Sequence, residues 1–350
     1  MILGFLSPPD KLHALQRALS GGVNSAYALH RALSGGATSA SQKLFGEEGL
    51  VSPSAWSWLY VERRFRAFLS NIKLTADQMA DGRTKIANAV KCLNKHYRSV
   101  DSDSEHYMLG GSWGKLTYVR PPRDIDLIYF LPVETYTCYA ERTGNIQSQL
   151  LQEVKGVLAG TFSQTAMRAD GQVVMVGFNS YMVEVVPAFW LQNGQVWICD
   201  SNQSGRYKTI DPVMELKRFD EADTKWNSNA RDLVRMLKTW QAFCNVPIPS
   251  FILECLVLEF LHLWPYAGRS SFYYDWMVRD FLRYMLTRVN GWIVMPGTGE
   301  IVPVGNEWES RAGSATKAAE EACENEKQNC NYLAADEWQK IFGYEIGGVS

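Results

Sequence analysis

The stretch Leu109–Phe130, LGGSWGKLTYVRPPRDIDLIYF, decides the fold: a Gly-Gly-Ser turn leads into an apolar strand that begins with Asp124 and Asp126. Residues two apart on a strand face the same side of a sheet, so these carboxylates lie next to each other. Such neighbours repel unless a divalent cation lies between them, and Mg²⁺ prefers carboxylate and phosphate oxygens. The alternative is that they form the polar, solvent-facing side of an edge strand.

A third acid, Glu184, favours the metal-site interpretation. It lies in Tyr181–Pro187, YMVEVVP, an otherwise apolar strand where a lone buried carboxylate is costly unless it is paired or binds a metal. Three acids on neighbouring strands fit two-metal chemistry. Beside them, Gly111 and Ser112 would let backbone amides and a hydroxyl approach polyphosphate oxygens, although an ordinary turn also explains this pair.

The composition excludes several classes of protein. Of 350 residues, 46% are hydrophobic and 21% are charged, which is typical of a folded globular chain. The 35 basic and 37 acidic residues give a net charge of −2, so a chain-wide basic field for nucleic acid or an anionic membrane is absent. Seven widely spaced cysteines without a C-x-x-C pair favour a reducing compartment, and the N-terminal MILGFL lacks the basic region of a signal peptide. We therefore expect a cytoplasmic protein without a membrane segment.

The hydrophobic pattern divides the chain into three regions and predicts an α+β fold. Residues 1–52 contain the related segments LQRALSGG and LHRALSGG and are expected to form a loosely attached extension. Residues 53–225 combine a long spine helix, begun by a Thr75/Gln78 capping box, with short β-rich runs that predict a mixed sheet with flanking helices. Residues 226–350 show helical periodicity and predict a helical lobe. We expect the ligand site in the cleft between the core and this lobe.

The individual elements follow from periodicity and turn signals. Strands are expected at Asp124–Leu131, Val173–Phe178, Tyr181–Val186 and Val196–Cys199, and a helix at Gln147–Ala159. Later helices are expected at Asn229–Phe243, Ser250–Leu263, Phe272–Arg288 and Gly313–Glu326.

Taken together, these motifs resemble a known family. Gly111-Ser112, Asp124-Ile125-Asp126 and Glu184 look like the signature of polymerase-β-like nucleotidyltransferases. The chain is further similar to the bacterial relatives of cyclic GMP-AMP synthase and oligoadenylate synthase, the CD-NTases of CBASS antiphage defence. That similarity extends from about Trp56 to Gly343, and five further segments carry it: Thr75–Tyr97, Glu184–Phe189, Leu233–Trp240, Ile248–Glu254 and Trp338–Gly343.

The resemblance implies roles for individual residues. Asp124, Asp126 and Glu184 would be the ligands of Mg²⁺ or Mn²⁺, and Glu184 would accept the proton of the attacking hydroxyl. The donor triphosphate would be held by the Gly-Ser turn and by a lysine from the helical lobe: Gly111, Ser112 and Lys238.

Other polar and aromatic residues have competing interpretations. In the segment Ser204–Lys208, which resembles a base-facing lid of the family, Tyr207 would stack on a nucleobase or else be a core aromatic. Ser228 would offer a hydroxyl to phosphate, or simply cap the helix that follows it. Lys115 and Thr117 would also touch phosphate, although loop polarity is a sufficient explanation of them.

The resemblance implies an enzyme that joins nucleoside triphosphates, whether ATP, GTP or pyrimidine nucleotides, into a cyclic di- or trinucleotide and releases pyrophosphate. The alternatives are a synthase of linear oligonucleotides, an enzyme that transfers a nucleotide to RNA or protein, and a catalytically silent nucleotide-binding module. Duplex DNA or RNA, on which the animal relatives depend, is not expected to activate this protein, because the chain lacks a strongly basic balance. A protein partner is the expected kind of regulator.

Overall fold

The computed structural model describes residues 58–349, and the predicted extension at residues 1–52 lies outside them. The helices of the described chain are α1 (Val61–Ile72), α2 (Ala76–Arg98), α3 (Gly111–Gly114), α4 (Val133–Ala140), α5 (Ile146–Thr161), α6 (Pro212–Lys225), α7 (Asn229–Phe243), α8 (Ser250–Leu263), α9 (Tyr274–Leu286), α10 (Glu309–Lys327) and α11 (Asn331–Phe342). Its strands are β1 (Tyr107–Leu109), β2 (Asp124–Phe130), β3 (Ala166–Asp170), β4 (Val173–Gly177), β5 (Met182–Trp190), β6 (Val196–Asp200), β7 (Arg206–Ile210), β8 (Trp292–Val294) and β9 (Ile301–Pro303). Short 3-10 helices cover Ser271–Tyr273 and Gly343–Glu345.

Strands β1 to β7 form one mixed sheet. Its central strands β2 and β5 are parallel, and the chain between them forms α4, α5, β3 and β4. All other pairs are antiparallel: β1 with β2, β4 with β5, β3 with β4, β6 with β5, and β7 with β6. Strands β8 and β9 pair separately.

One face of the sheet carries the main core, which α2 and α5 cover. Ile125 and Leu127 of β2 and Val183 of β5 are fully buried there. The spine helix α2 begins as predicted, because Thr75 Oγ1 accepts a hydrogen bond from the Gln78 amide and Gln78 Oε1 accepts one from the Thr75 amide. This capping box fixes the start of the helix that supports the sheet.

The later helices pack with one another and with α1. Helix α9 packs against α10, α10 against α11, and α1 against α7 and α9. Arg64 of α1 is fully buried in this lobe, where its Nε lies 2.6 Å from Glu326 Oε1 and its Nη2 donates to the Asn331 carbonyl over 2.9 Å. Its Nη1 donates to the carbonyl of Gly347. The lobe therefore includes a helix from the beginning of the described chain, and the predicted domain limits at residues 52 and 225 stay a prediction.

The predicted elements are confirmed, with shifted ends. Helix α2, the four strands and the helices after residue 146 all form where periodicity indicated, although Phe272–Arg288 is divided into a 3-10 turn and α9. The periodicity did not indicate nine other elements of the described chain: β1, α3, α4, β3, β7, α6, β8, β9 and α11. Strand β7, RYKTI, shows why: it alternates polar and apolar residues only weakly, and its pairing with β6 defines it.

Within residues 58–349, no helix has the length and hydropathy that a membrane span needs. All seven cysteines lie in this range and are free thiols.

Candidate active site

The acids predicted to bind metal lie on one face of two neighbouring strands. Strands β2 and β5 run parallel, and their register pairs Asp126 with Glu184. Because side chains alternate along a strand, Ile125 points the other way, into the main core. The structure therefore brings Asp124, Asp126 and Glu184 together on the face opposite that core.

These three carboxylates have no cationic partner. None of their side chains makes a hydrogen bond or an ion pair with a residue of the described chain. Burial raises the pKa of Asp126, and the negative charge of Asp124 raises it further. Burial, followed by the charges of Asp126 and Asp124, raises the pKa of Glu184 to about 7. Lys238 and Lys115 lower the pKa of Asp126 only in part, so the sheet face keeps an excess of negative charge.

The donor set fits a hard divalent cation. Carboxylate oxygens are the ligands that Mg²⁺ and Mn²⁺ prefer, and a cation would remove the repulsion between the acids. As the side chains lie, no three Asp, Glu, His or Cys residues of the described chain stand close enough together to hold a metal ion. Metal binding by these acids therefore stays a prediction.

The Gly-Ser turn lies directly against Asp126. The amide of Gly110 donates to the carbonyl of Asp126 over 2.9 Å, which joins the turn to β2. Gly111 has a left-handed φ of +45°, and a Cβ at this position would overlap Oδ2 of Asp126. Ser112 follows in α3 and lines the same cleft as Asp126. Gly111 and Ser112 are thus held next to the second acid of the Asp-Ile-Asp motif.

Trp113 anchors this turn to the spine helix. Its ring is 5% exposed and packs edge-on against Tyr181. It also lies over Gly82 of α2, where an added Cβ would stand 2.5 Å from the ring. A glycine inside a helix is unfavourable by about 0.5–1 kcal/mol relative to alanine. Here it gives the tryptophan the space that positions the turn.

A cleft of about 320 Å³ contains five of the predicted site residues. These are Gly111, Ser112, Asp124, Asp126 and Lys238. Glu184 lies beside them, opposite Asp126 in the strand register. The same cleft has an apolar wall formed by Leu74, Tyr118, Val119, Pro122 and Phe251.

Two lysines share one carboxylate in this cleft. Lys238 Nζ lies 2.8 Å from Glu254 Oε1 and donates to Thr117 Oγ1 over 2.8 Å, while Lys115 Nζ lies 2.7 Å from Glu254 Oε2. Burial alone would raise the pKa of Glu254, but the ammonium groups of Lys115 and Lys238 outweigh it and hold the pKa at about 2. Glu215 lies 3.5 Å from Lys115, and burial raises the pKa of this acid. Lys238 is therefore a buried, paired residue of the cleft and not a surface lysine.

Tyr207 lies elsewhere. Its ring stacks on Trp197 at 5.4 Å, contacts Tyr136 and Phe189, and packs against the main core. Its buried hydroxyl has no partner in the described chain, and the residue does not line the cleft. These ring contacts support the alternative that Tyr207 is a core aromatic, and its stacking on a base stays a prediction.

Ser228 occupies the N-cap position of α7, but its hydroxyl does not cap the helix. The residue is exposed, has a left-handed φ of +68° and makes no side-chain capping bond. Asp223 does this instead, because its Oδ1 accepts the Arg231 amide over 2.8 Å. Ser228 does not line the cleft, so the structure gives no support to its predicted contact with phosphate.

Lys115, Thr117 and Glu254 are the cleft residues that the sequence analysis did not assign. Lys115 and Thr117 were attributed to loop polarity, yet they are 8% and 0% exposed. A signal was available in Glu254, one of two acids within the apolar run Phe251–Phe260, FILECLVLEF, because a carboxylate that such a run buries needs a cation. The same argument had identified Glu184.

The chain is similar to known proteins in sequence and in fold. Residues 59–223 match the family described as the Second Messenger Oligonucleotide or Dinucleotide Synthetase domain. The chain is also 24% identical over 210 residues to a probable cyclic nucleotide synthase of Bacillus cereus (strain VD146). That alignment covers 51% of this chain and 61% of the relative, so the chain spans less than two thirds of that protein.

Two solved proteins share the fold over most of their length. Escherichia coli MS115-1 CdnC, solved in complex with HORMA-deltaN, is 17% identical with a TM-score of 0.58, covering 82% of this chain and 98% of CdnC. Vibrio cholerae DncV, a cyclic AMP-GMP synthase solved with the linear intermediate pppA(3′,5′)pG, is 13% identical with a TM-score of 0.58, covering 93% of this chain and 90% of DncV. The predicted α+β, polymerase-β-like fold and the resemblance to the bacterial CD-NTases are confirmed.

Proposed function

We propose that this protein is a metal-dependent nucleotidyltransferase that condenses nucleoside triphosphates into a cyclic di- or trinucleotide and releases pyrophosphate. One observation carries the proposal: unpartnered carboxylates, Asp124 and Asp126, share a cleft with two buried lysines, Lys115 and Lys238. A nucleoside triphosphate with its divalent cations complements both halves of that cleft. The similarity to a probable cyclic nucleotide synthase supports the cyclic product, and the resemblance to CD-NTases supports a role in antiphage defence.

The acids have the metal-binding role in this proposal. Divalent cations in such a site lower the pKa of an attacking ribose hydroxyl and neutralise charge on the leaving pyrophosphate. Asp124, Asp126 and Glu184 would hold them as Mg²⁺ or Mn²⁺, because these carboxylates share one sheet face and form no ion pair with any residue between 58 and 349. Glu184 is the proposed acceptor of the hydroxyl proton.

The phosphates would lie at the other half of the cleft. Gly111 leaves the backbone of the turn free of a side chain, and Ser112 adds a hydroxyl donor. Lys238, with Lys115 beside it, would supply positive charge to the donor triphosphate. For this contact the lysines have to share their ammonium protons between Glu254 and phosphate oxygens.

A protein partner is the regulator we propose, acting in the cytoplasm where nucleoside triphosphates are available. CdnC was solved in complex with HORMA-deltaN, so a protein of this fold does assemble with another protein. The free thiols of all seven cysteines suit a reducing compartment.

The test is incubation of the purified protein with ATP, GTP, CTP and UTP and either Mg²⁺ or Mn²⁺. Pyrophosphate release and a phosphatase-resistant product of cyclic mass are expected, because a ring has no terminal phosphate. Asp126→Asn should abolish both, whereas Asp103→Asn, in an exposed loop, should abolish neither. A phosphatase-sensitive product would support the linear alternative, and triphosphate binding without pyrophosphate would support the silent module.

A further inference from the structure

Three basic side chains of α7 hold a loop of three consecutive residues. Arg231, Arg235 and Lys238 are spaced i, i+4 and i+7, so they lie along one stripe of the helix. Arg231 Nε donates to the carbonyl of Lys115 over 2.9 Å, and Arg235 Nη2 donates to the carbonyl of Leu116 over 2.7 Å. Lys238 Nζ donates to the hydroxyl of Thr117 over 2.8 Å.

The middle residue of this loop has an unfavourable backbone. Leu116 has a left-handed φ of +57°, a region that residues with a side chain rarely adopt. Its side chain is 45% exposed, so packing contributes little to holding it there. The charge-assisted hydrogen bond from Arg235 to the Leu116 carbonyl is therefore a major restraint on this conformation.

Arg235 is itself held in place. Its Nη1 donates to Asp232 Oδ1 over 3.0 Å, and the other oxygen of Asp232 lies 2.9 Å from the hydroxyl of Tyr274 in α9. The guanidinium is thus fixed by the helical lobe before it reaches the loop. Arg235 does not line the cleft, so it reaches a ligand there only through the loop.

Two backbone hydrogen bonds connect this loop to the Gly-Ser turn. The amide of Thr117 donates to the carbonyl of Ser112 over 2.9 Å, and the amide of Lys115 donates to the carbonyl of Gly111 over 3.1 Å. Leu116 stands between these two bonds. A change of its φ would move Thr117 away from Ser112 and alter the wall of the cleft.

We propose that Arg235 is a positioning residue for the donor triphosphate: by holding the carbonyl of Leu116, it keeps the left-handed backbone that sets Ser112 and Thr117 in the cleft. This inference rests on the proposed function. Because the turn would contact phosphates equally in the ground and transition states, its displacement raises KM and leaves kcat nearly unchanged.

The experiment compares variants by titration with the α,β-methylene analogues of ATP, GTP, CTP and UTP, which bind but cannot release pyrophosphate. Arg235→Gln should weaken binding of the analogue preferred by the wild type about tenfold and raise KM by a similar factor, with kcat within threefold. Arg235→Lys, which keeps one donor for the Leu116 carbonyl, should recover part of the loss. The matched control is Arg311→Gln, because Arg311 also donates to a backbone carbonyl, that of Cys244, outside the cleft.

A double-mutant cycle with Leu116→Gly separates positioning from general stability. Glycine adopts the left-handed conformation without steric cost. Leu116→Gly should therefore change analogue affinity little in the wild type but raise it at least threefold in the Arg235→Gln background. Equal effects of Leu116→Gly in both backgrounds would overturn the inference, as would wild-type affinity in Arg235→Gln. Those results would leave the proposed function intact, whereas a folded wild type that binds no analogue would overturn both.

Discussion

Gly111 lies so close to the carboxylate of Asp126 that no side chain fits between them. A Cβ on residue 111 would overlap Asp126 Oδ2, and the neighbouring amide of Gly110 donates to the Asp126 carbonyl. The turn proposed to hold phosphate and the acid proposed to hold metal are therefore built as one unit.

The first prediction concerns this contact. Gly111→Ala should reduce turnover about 100-fold, since the side chain must displace Asp126 and reactions of this kind tolerate little misplacement. The φ of +45° adds about 1–2 kcal/mol of strain. Steady-state kinetics and urea unfolding measure the two effects. The control is Gly156→Ala in α5, where a Cβ meets nothing within 4 Å and stability should rise by about 0.5–1 kcal/mol. Normal turnover in Gly111→Ala would contradict the assignment.

Removal of one acid should destroy metal binding and spare the fold. Without metal, Asp126→Asn should be as stable as the wild type or more so, because a source of repulsion with Asp124 and Glu184 is removed. Mg²⁺ at 100 times its Kd should raise the free energy of unfolding of the wild type by about 2.7 kcal/mol and that of the variant by far less. Urea unfolding in EDTA measures the stability without metal, and the same experiment in Mg²⁺ measures the stabilisation by the cation. An equal Mg²⁺ effect in the two proteins would argue against a metal site at Asp126.

The ion pairs of Glu254 should make stability depend on pH. Its pKa of about 2 lies below the usual 4.5, so its ionised form stabilises the fold above pH 4.5, and that contribution disappears as the pH falls towards 2. The shift corresponds to about 3 kcal/mol. The free energy of unfolding of Glu254→Gln should therefore lie below that of the wild type by a constant amount between pH 7 and 5, and the difference should shrink below pH 4.5. A difference that stays constant down to pH 3 would contradict the ion-pair account.

Lys238→Ala should weaken triphosphate binding about tenfold, because a positive charge next to the phosphates is lost. Since Lys238 is buried and bonded to Thr117 and Glu254, the variant should also lose about 1–3 kcal/mol of stability, although Lys115 still compensates Glu254. Isothermal titration with a non-hydrolysable analogue and urea unfolding separate the two losses. Lys91→Ala, which removes an exposed pair with Asp101, should change neither by much. Unaltered analogue affinity in Lys238→Ala would restrict this lysine to a structural role.

Duplex DNA and RNA should not stimulate product formation. The densest basic run, Arg63 to Arg66 in α1, is not a continuous basic stripe, because Arg64 is buried against Glu326 and the exposed Arg66 pairs with Glu62. Activity assays with each duplex at low and moderate salt test this expectation. A salt-sensitive stimulation that disappears in an Arg63→Glu, Arg66→Glu variant would contradict it. Arg64 is left unchanged there, because reversing a buried charge would unfold the lobe.

Local pattern was sufficient to predict much of the fold. The Thr75/Gln78 box marks the start of α2, and the alternation around Ile125 orients β2 before any partner strand is known. The register that pairs Asp126 with Glu184 follows less directly, because it depends on a crossover of two helices and two strands. Glu184 groups with the two aspartates in sequence because it is an isolated carboxylate in an apolar strand, and the resemblance to the nucleotidyltransferases supports the same grouping.

The lysine pair could not be predicted from local pattern. Lys115 becomes a buried cleft residue because Glu254, 139 positions later, supplies its counter-charge. Tyr207 is a second example: its segment resembles a lid, but the structure places its ring in contact with Trp197 and Phe189. Burial is a property of the packed molecule, and neither residue carries a short-range signal of it.

The contacts of Arg64 also have a consequence for synthesis of the chain. Its guanidinium binds groups that lie 262 to 283 positions further along the sequence, at Glu326, Asn331 and Gly347. Helix α1 therefore leaves the ribosome long before its counter-ion exists, and an unpaired guanidinium keeps that helix in water. The helical lobe closes only after residue 347 has been added, whereas the large sheet has all its strands once residue 210 has been added.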